Sequence, residues 1–269
     1  MRPDNGRRAS RLLRKLGVGA AIAAFWLAVW EGLSRLVAAE LLLPSPRQVA
    51  AAGWRLVQTA PFWHAASLSL LRIVIGFVAA VAVGSLLAMC TARSKLVRSL
   101  TAPLLHVVRA APVASFIILA LVWLKTNRLP TFISFLMVLP VVWSNVEQGI
   151  RETDPKLLEM AQVYRLSRWN TFRLIRLPSV MPYALAAMRT GLGFAWKSGI
   201  AAEVICRPKP SVGGSLYDAK LYLETPEVFV WTAAVVLLSV LLEQGLLALT
   251  RRLGRRYNVP SDAARKGGA

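Results

Sequence analysis

The chain has 269 residues, 56% of them hydrophobic, and a formal net charge of +20 at pH 7. In a soluble protein such a charge would suggest nucleic-acid binding, but Arg and Lys gather between apolar stretches and form no periodic basic face with interleaved aromatic residues. Nucleic acid is therefore excluded as a partner. The two cysteines and two histidines are scattered along the chain, so we expect no metal site.

Six apolar stretches approach the ~20 residues that a helix needs to cross about 30 Å of hydrocarbon. In lipid every backbone group must be paired within its own segment, so we expect an all-α, polytopic membrane protein with six transmembrane helices. One transmembrane domain, residues 17–250, would then lie between a basic N-terminal tail, 1–16, and a basic C-terminal tail, 251–269. The predicted spans are residues 17–38, 70–91, 103–124, 129–147, 180–206 and 228–249.

The distribution of Lys and Arg sets the orientation of these spans. If the N-terminus is inside, the inner segments carry 21 Lys and Arg and the outer segments carry 7. Cytoplasmic segments of membrane proteins are enriched in basic residues, so both termini are predicted to be cytoplasmic, as is the segment 148–178.

Small residues recur every four positions in the second and fifth spans. Such ridges let another helix approach closely, so we predict that both lie in helix contacts and do not contact a ligand. The ridge residues are Gly76, Ala80, Gly84 and Ala88 in the second span and Ala187, Gly191, Ala195 and Gly199 in the fifth.

The third span contains Pro103 and Pro112 near its cytoplasmic end. Two prolines this close predict a broken or kinked helix, which is tolerated where protein or water satisfies the freed carbonyl groups. Arg109 lies between the two prolines. It has two interpretations: it lines a solute pathway, or it snorkels or pairs with an acidic residue at the cytoplasmic end.

The fifth span carries three charged residues, Arg189, Lys197 and Glu203. Each charge costs about 2.5–3.5 kcal/mol near the centre of a bilayer, so we expect all three to face a bundle interior or water. Lys197 and Glu203 are six residues apart and lie on different faces of a helix, which argues against a pair between them. Together with Arg109, the three either line the route of a solute or form structural pairs between helices.

A polar stretch, residues 154–182, separates the fourth and fifth spans. Asp154 can cap a first helix that begins at Pro155, and Ser167 can cap a second helix that ends at Pro178. The two helices would be basic on one side and aromatic on the other. The residues alone leave two interpretations: an amphipathic pair on the membrane surface, or an element that docks into a groove of a soluble partner.

Within this stretch the chain resembles the bacterial ABC-importer permeases. Their motif is Glu-Ala-Ala, three residues, Gly, nine residues and Ile-x-Leu-Pro, and the chain keeps this spacing with Met160 for an alanine and Arg165 for the glycine. The resemblance implies that residues 154–178 are a cytoplasmic coupling element that docks on an ATPase. The residues it assigns to docking are Glu159, Met160, Ala161, Tyr164, Arg165, Ile175, Leu177 and Pro178.

Two further segments resemble the nitrate, sulfonate and taurine branch of these permeases: Pro-Ser-Pro at 44–46 with the stretch after it, and AWKSGIAAEVI at 195–205. The resemblance implies a type I importer fold in a bacterial inner membrane and a mechanism of alternating access. It also implies three partners besides lipid: a second permease copy in a homodimer, an ATP-binding subunit that holds ATP and magnesium, and an external solute-binding protein. The solute would be small and anionic, with a neutral or zwitterionic nutrient as the alternative.

Two other functions fit the sequence less well. A membrane-embedded enzyme would need catalytic residues clustered at membrane depth, and the chain has no His-Glu-x-x-His, no Gly-x-Ser-x-Gly and no paired Asp in a span. A stand-alone secondary transporter would show two related halves and would have no use for the polar stretch. The chain also lacks the Gly-x-x-x-x-Gly-Lys-Ser/Thr loop of an ATPase, so we expect a transport subunit that needs no cofactor of its own.

Overall fold

The computed structural model describes residues 5–37 and 39–256, and these residues form helices, turns and loops without a strand. The prediction of an all-α fold is therefore confirmed for this part of the chain. Besides the α-helices, the chain has a 3-10 turn, Thr126–Arg128, and a π-helical turn, Phe172–Arg176. The helices are α1 (Asn5–Val37), α2 (Pro46–Val57), α3 (Ala60–Arg93), α4 (Lys95–Ala110), α5 (Val113–Leu121), α6 (Leu129–Arg151), α7 (Pro155–Val163), α8 (Arg168–Thr171), α9 (Leu177–Cys206), α10 (Val212–Leu221) and α11 (Thr225–Arg256).

Four helical segments in the described part are long and apolar enough to cross a membrane: Gly17–Val37, Ala60–Arg93, Thr126–Arg151 and Thr225–Arg251. They correspond to the first, second, fourth and sixth predicted spans. The second is longer than predicted, since α3 begins at Ala60. The last residue of the first predicted span, residue 38, lies outside the described residues.

The predicted tails differ in how much of them the structure describes. α1 begins at Asn5, so most of the N-terminal tail, 1–16, continues as helix into the first span. At the other end, α11 runs to Arg256, and residues 257–269 lie outside the described part.

The third predicted span, residues 103–124, is not a single helix. α4 and α5 are bent by 105° relative to each other at the break between them. Pro112 explains the position of this break, because a proline forces the preceding residue into extended backbone, and Ala111 has φ −81° and ψ 143°. Pro103 lies inside α4 without ending it, so only one of the two prolines breaks the helix.

The fifth predicted span, 180–206, lies within α9, which has 30 residues. This helix is long enough to cross a membrane but is not among the four most apolar segments. Its apolar sequence is interrupted by Arg189, Lys197 and Glu203. Its charges, and not its length, therefore distinguish α9 from the four apolar segments.

The helices α3, α6 and α9 form the core, with α6 packed between the other two. Both small-residue ridges lie in these contacts. A Cβ atom added to Gly199 would lie 2.6 Å from both Ile73 Cγ1 and Ser134 Oγ, and one added to Gly84 would lie 3.0 Å from Val142 Cβ. The other ridge residues are buried as well: Gly76, Ala80, Ala88, Ala187, Gly191 and Ala195.

The helix α1 lies at the periphery, and none of its apolar window is buried. Near its C-terminal end Trp30 stacks on Phe229 of α11, with ring centroids 5.6 Å apart, and donates a hydrogen bond to the Pro44 carbonyl (3.1 Å). Ser34 donates to the Leu43 carbonyl at 2.9 Å. These contacts hold one end of α1, and most of the side chains between Gly17 and Val37 are exposed.

Candidate functional site

The polar stretch between α6 and α9 folds around a left-handed turn. Asp154 caps α7, as predicted, by accepting a backbone hydrogen bond of 2.9 Å. α7 ends with hydrogen bonds from Leu166 N–H to the Ala161 carbonyl (2.8 Å) and from Arg165 N–H to the Gln162 carbonyl (3.0 Å). Arg165 has a φ of 49°, in the left-handed region that glycine adopts most easily. The chain therefore forms this turn with an arginine in place of the motif glycine, at a cost in conformational free energy of about 1–2 kcal/mol.

The second short helix does not end at Pro178, so that prediction is wrong. Ser167 caps α8 as expected, but the π-helical turn Phe172–Arg176 then continues directly into α9. The Leu177 N–H donates to the Phe172 carbonyl, five residues back, whereas an α-helical N–H donates to the carbonyl four residues back. The backbone hydrogen bonds have therefore changed register before Pro178. A proline in the first turn of a helix lacks only an N–H that needs no helical partner. α8, the π-helical turn and the fifth span therefore form one continuous helical path from Arg168 onward.

The docking element, residues 154–178, presents an exposed aromatic surface. Tyr164 is 74% exposed, and Trp169 stacks on Phe172 with ring centroids 5.9 Å apart. Two predicted docking residues do not belong to this surface: Ala161 and Ile175 are buried, so their side chains anchor the element within the chain. Of the remaining predicted docking residues, Glu159, Met160 and Arg165 are exposed, and Leu177 and Pro178 are half-buried.

The helix α9 has two faces of opposite character. Its ridge of small residues packs in the core, whereas Arg189, Gly193 and Lys197 recur four positions apart on an exposed face. A Cβ atom on Gly193 would meet no atom within 4 Å, so this face is open. Arg189 donates a long hydrogen bond of 3.4 Å to the Thr250 hydroxyl. Within the described residues Lys197 forms no ion pair, and it is exposed.

Glu203 does not share this exposed face, which corrects its predicted place in the pathway. Its carboxylate is fully buried. Its Oε2 accepts hydrogen bonds from the Ser69 hydroxyl (2.7 Å) and from the Gly213 N–H (3.1 Å), and its Oε1 lies 3.5 Å from Arg72 Nη1. Sequence reasoning missed Arg72 and Ser69, although Arg72 is the only charged residue of the second predicted span, 70–91. A charge at membrane depth requires a partner, so the signal was present.

A second buried acid also escaped prediction. Glu147 in α6 is buried, and its Oε1 lies 3.2 Å from both Arg98 Nε and Arg151 Nη2. This shared carboxylate joins α4 to α6. Arg109, by contrast, is exposed at the end of α4, directly before the 105° bend, and forms no ion pair with the described residues.

These features define a class of protein: an all-α, multi-pass membrane protein with a polar helical element that runs continuously into a charged span. The sequence pattern of the family described as "Binding-protein-dependent transport system inner membrane component" matches residues 80–259. The matched part begins within α3 and includes the docking element and α9. The chain therefore belongs to this family, and within it to the ABC transporter permeases of the nitrate, sulfonate and taurine type.

Three relatives support that placement. The chain is 28% identical over 251 residues to the taurine transport system permease protein of Escherichia coli, with 90% of each chain covered. It is 29% identical over 239 residues to a putative aliphatic sulfonates transport permease protein of the same organism, covering 86% of this chain and 88% of the relative. It is 27% identical over 205 residues to a nitrate import permease protein of Synechococcus elongatus, covering 72% and 73%.

Proposed function

We propose that the chain is the membrane-spanning permease subunit of an ATP-driven importer, with both termini on the cytoplasmic side of a bacterial inner membrane. In this orientation the inner segments carry 21 Lys and Arg and the outer segments carry 7, and such an excess is typical of cytoplasmic segments. Six crossings result if α4 and α5 together make one broken crossing and α9 makes another. Ile117 of α5 is buried against Ile133 and Ala202, so protein covers the second half of this crossing. Ala110 and Pro112, at the break itself, are exposed, so water or another subunit has to cover the break.

An ATP-binding subunit, which holds ATP and magnesium, seats on the docking element in this proposal. The observation that carries it is the continuity of α8, the π-helical turn and α9. A partner that displaces Trp169 would move the same helical path that bears Lys197. A movement that ATP hydrolysis drives in the partner would thus be transmitted into the membrane through a helix, without a flexible linker. Exposed aromatic side chains on a short helical element suit insertion into a groove.

The exposed face of α9 lines the solute route between this chain and a second copy. Arg189 and Lys197 are eight residues apart, which is about 12 Å along a helix. Exposure to lipid would cost about 2.5–3.5 kcal/mol for each charge. Within the described residues no ion pair explains Lys197, so water or another subunit has to cover this face. A homodimer supplies both the water and the second subunit, because the exposed α9 faces of two copies can enclose a water-filled gap.

The proposed solute is a small anion, delivered by an external solute-binding protein. Arg189 and Lys197 put two positive charges on each open face. Relatives named for aliphatic sulfonates and nitrate, which are anions, support this assignment. Taurine, for which another relative is named, has a sulfonate group but also an ammonium group, so that relative fits the zwitterionic alternative as well. The alternative is a neutral or zwitterionic nutrient carried by the same mechanism. It would leave selectivity to the binding protein and give Arg189 and Lys197 only a hydration role.

Uptake into proteoliposomes tests this proposal. The complex is purified through a tag on this chain and given taurine, nitrate and ethanesulfonate as probes. We expect Lys197→Ala and Arg189→Ala to lower the uptake of the transported probe at least tenfold while ATP hydrolysis continues. Lys125→Ala is the control, because that exposed lysine lies outside α9. Uptake at the full rate in both variants, with hydrolysis still coupled, would contradict a pathway role for these charges. Uptake of nitrate or ethanesulfonate by the wild type would support the anion, whereas uptake of taurine alone, or of none of the probes, would contradict it, because taurine is a zwitterion.

A further inference from the structure

The chain turns after α9, and α10 then packs against α9 and α11 and also contacts α3. Arg207 ends α9 in the left-handed conformation, with a φ of 47°, and its N–H donates to the Glu203 carbonyl at 2.8 Å. The segment 207–211 then leads into α10. Its start is packed directly on α9, since a Cβ atom added to Gly213 would lie 2.5 Å from Glu203 Cβ.

Three backbone groups of residues 210–213 bond to side chains of α3 and α9. The Gly213 N–H donates to Glu203 Oε2 at 3.1 Å, and the Val212 N–H donates to Ser69 Oγ at 2.9 Å. The Pro210 carbonyl accepts a hydrogen bond of 2.9 Å from Arg72 Nη1. The two contacts with α3 join residues 143 and 138 apart in the sequence, and the contact with α9 joins residues 10 apart. Residues 210–213 are therefore held to α3 at two points and to α9 at one.

Glu203 also contacts the other two side chains, through a hydrogen bond from Ser69 and an ion pair with Arg72. Ser69 accepts from the Val212 N–H and donates to Glu203 Oε2 at 2.7 Å, so its hydroxyl bridges α10 and α9. Arg72 reaches both the Pro210 carbonyl and Glu203 Oε1. Ser69 and Glu203 have no exposed surface. If one of these groups moved away, a buried charge or hydrogen-bond donor would lose its partner. Separating residues 210–213 from α3 and α9 therefore costs more free energy than separating an apolar contact of the same size.

We propose that Ser69, Arg72 and Glu203 form a latch that joins α10 and the segment 207–211 to α3 and α9 as one rigid body. In the orientation of the proposed function, on which this part rests, α10 lies on the outer side. An external protein that pushes on α10 then moves the outer end of α9 directly. Glu203 is thus a positioning residue for the helix that carries Lys197, and it does not contact the solute.

Hydrogen exchange on the full-length chain in lipid nanodiscs tests the latch without any partner. Ser69→Ala removes the hydroxyl that bridges α9 and α10, and we expect the Val212 and Gly213 amides to exchange at least tenfold faster. Ser67→Ala is the matched control, because its exposed hydroxyl lies two residues away on α3 and bonds only locally, to the His64 carbonyl at 3.1 Å. Unchanged exchange at Val212 and Gly213 in Ser69→Ala, or equal acceleration in the control, overturns the latch.

A distance measurement between spin labels tests the rigid body in the working complex. The labels replace His64, at the outer end of α3, and Tyr222, at the end of α10, in a chain whose two cysteines are changed to serine. We expect the same narrow distance distribution without nucleotide and with MgATP and vanadate, and a broadened one when Ser69→Ala is added. A distance that shifts between the two nucleotide states in the chain with Ser69 intact overturns the rigid body. If the complex binds no nucleotide, the proposed function fails, while hydrogen exchange still decides the latch.

Discussion

Replacing Gly199 with alanine tests the packing of α3, α6 and α9 directly. The new methyl group would lie 2.6 Å from Ile73 Cγ1 and from Ser134 Oγ, where ordinary contacts are 3.4–4 Å. To relieve this steric overlap, either the Ile73 side chain has to change rotamer or Ser134 has to lose its 3.0 Å hydrogen bond to the Ala195 carbonyl. Overpacking costs about 1–3 kcal/mol and a lost hydrogen bond about 1 kcal/mol. We therefore expect the free energy of unfolding to fall by about 2–3 kcal/mol.

Gly193→Ala provides the matched control on the same helix. A Cβ atom at Gly193 meets nothing within 4 Å, and alanine in a helix is about 0.5–1 kcal/mol more favourable than glycine. Reversible unfolding in mixed detergent micelles, followed by tryptophan fluorescence, measures both variants. The two substitutions should change stability in opposite directions. Equal stabilities for Gly199→Ala and the wild type would refute the packing argument, as would equal effects at the two glycines.

Two further substitutions follow from single contacts. Arg165→Gly should stabilise the chain by about 0.5–1 kcal/mol, because the relief of a left-handed arginine exceeds the extra chain entropy of glycine; a lower thermal unfolding temperature for this variant would contradict that. Glu147→Gln removes the carboxylate charge that Arg98 and Arg151 share, and should cost about 1.5–3 kcal/mol in the micelle assay. An unchanged unfolding free energy in Glu147→Gln would show that this buried pair does not hold α4 to α6.

The elements that depend on local sequence could be predicted. Apolar length alone locates α1, α3, α6 and α11, because a helix in lipid satisfies its own backbone. The four-residue spacing of small residues also identifies the faces of α3 and α9 that pack together, since that spacing places them on one side of a helix. The caps at Asp154 and Ser167 are equally local, because each side chain bonds to the turn that follows it.

The features that depend on distant residues could not be predicted. Ser69 and Glu203 are 134 residues apart, so nothing in either neighbourhood specifies their hydrogen bond. The proline at 112 predicts a break, but the angle of 105° depends on what α4 and α5 pack against. The π-helical turn before Pro178 was missed for a related reason. Proline usually limits a helix, and only the shifted pairing from Leu177 to Phe172 lets the helix continue.

The ATPase activity that copurifies with this chain tests the central claim most directly. The sequence contains no Gly-x-x-x-x-Gly-Lys-Ser/Thr motif, and the proposed function assigns hydrolysis by the purified complex to a partner held at the docking element. Tyr164→Ala and Tyr222→Ala form a matched pair, because each tyrosine ends a short helix and they are 74% and 72% exposed. We predict that vanadate-sensitive hydrolysis copurifies with the wild type and with Tyr222→Ala and falls at least fivefold with Tyr164→Ala. Equal activity in the two variants, or none with the wild type, would contradict the assignment of this chain as a permease driven through its docking element.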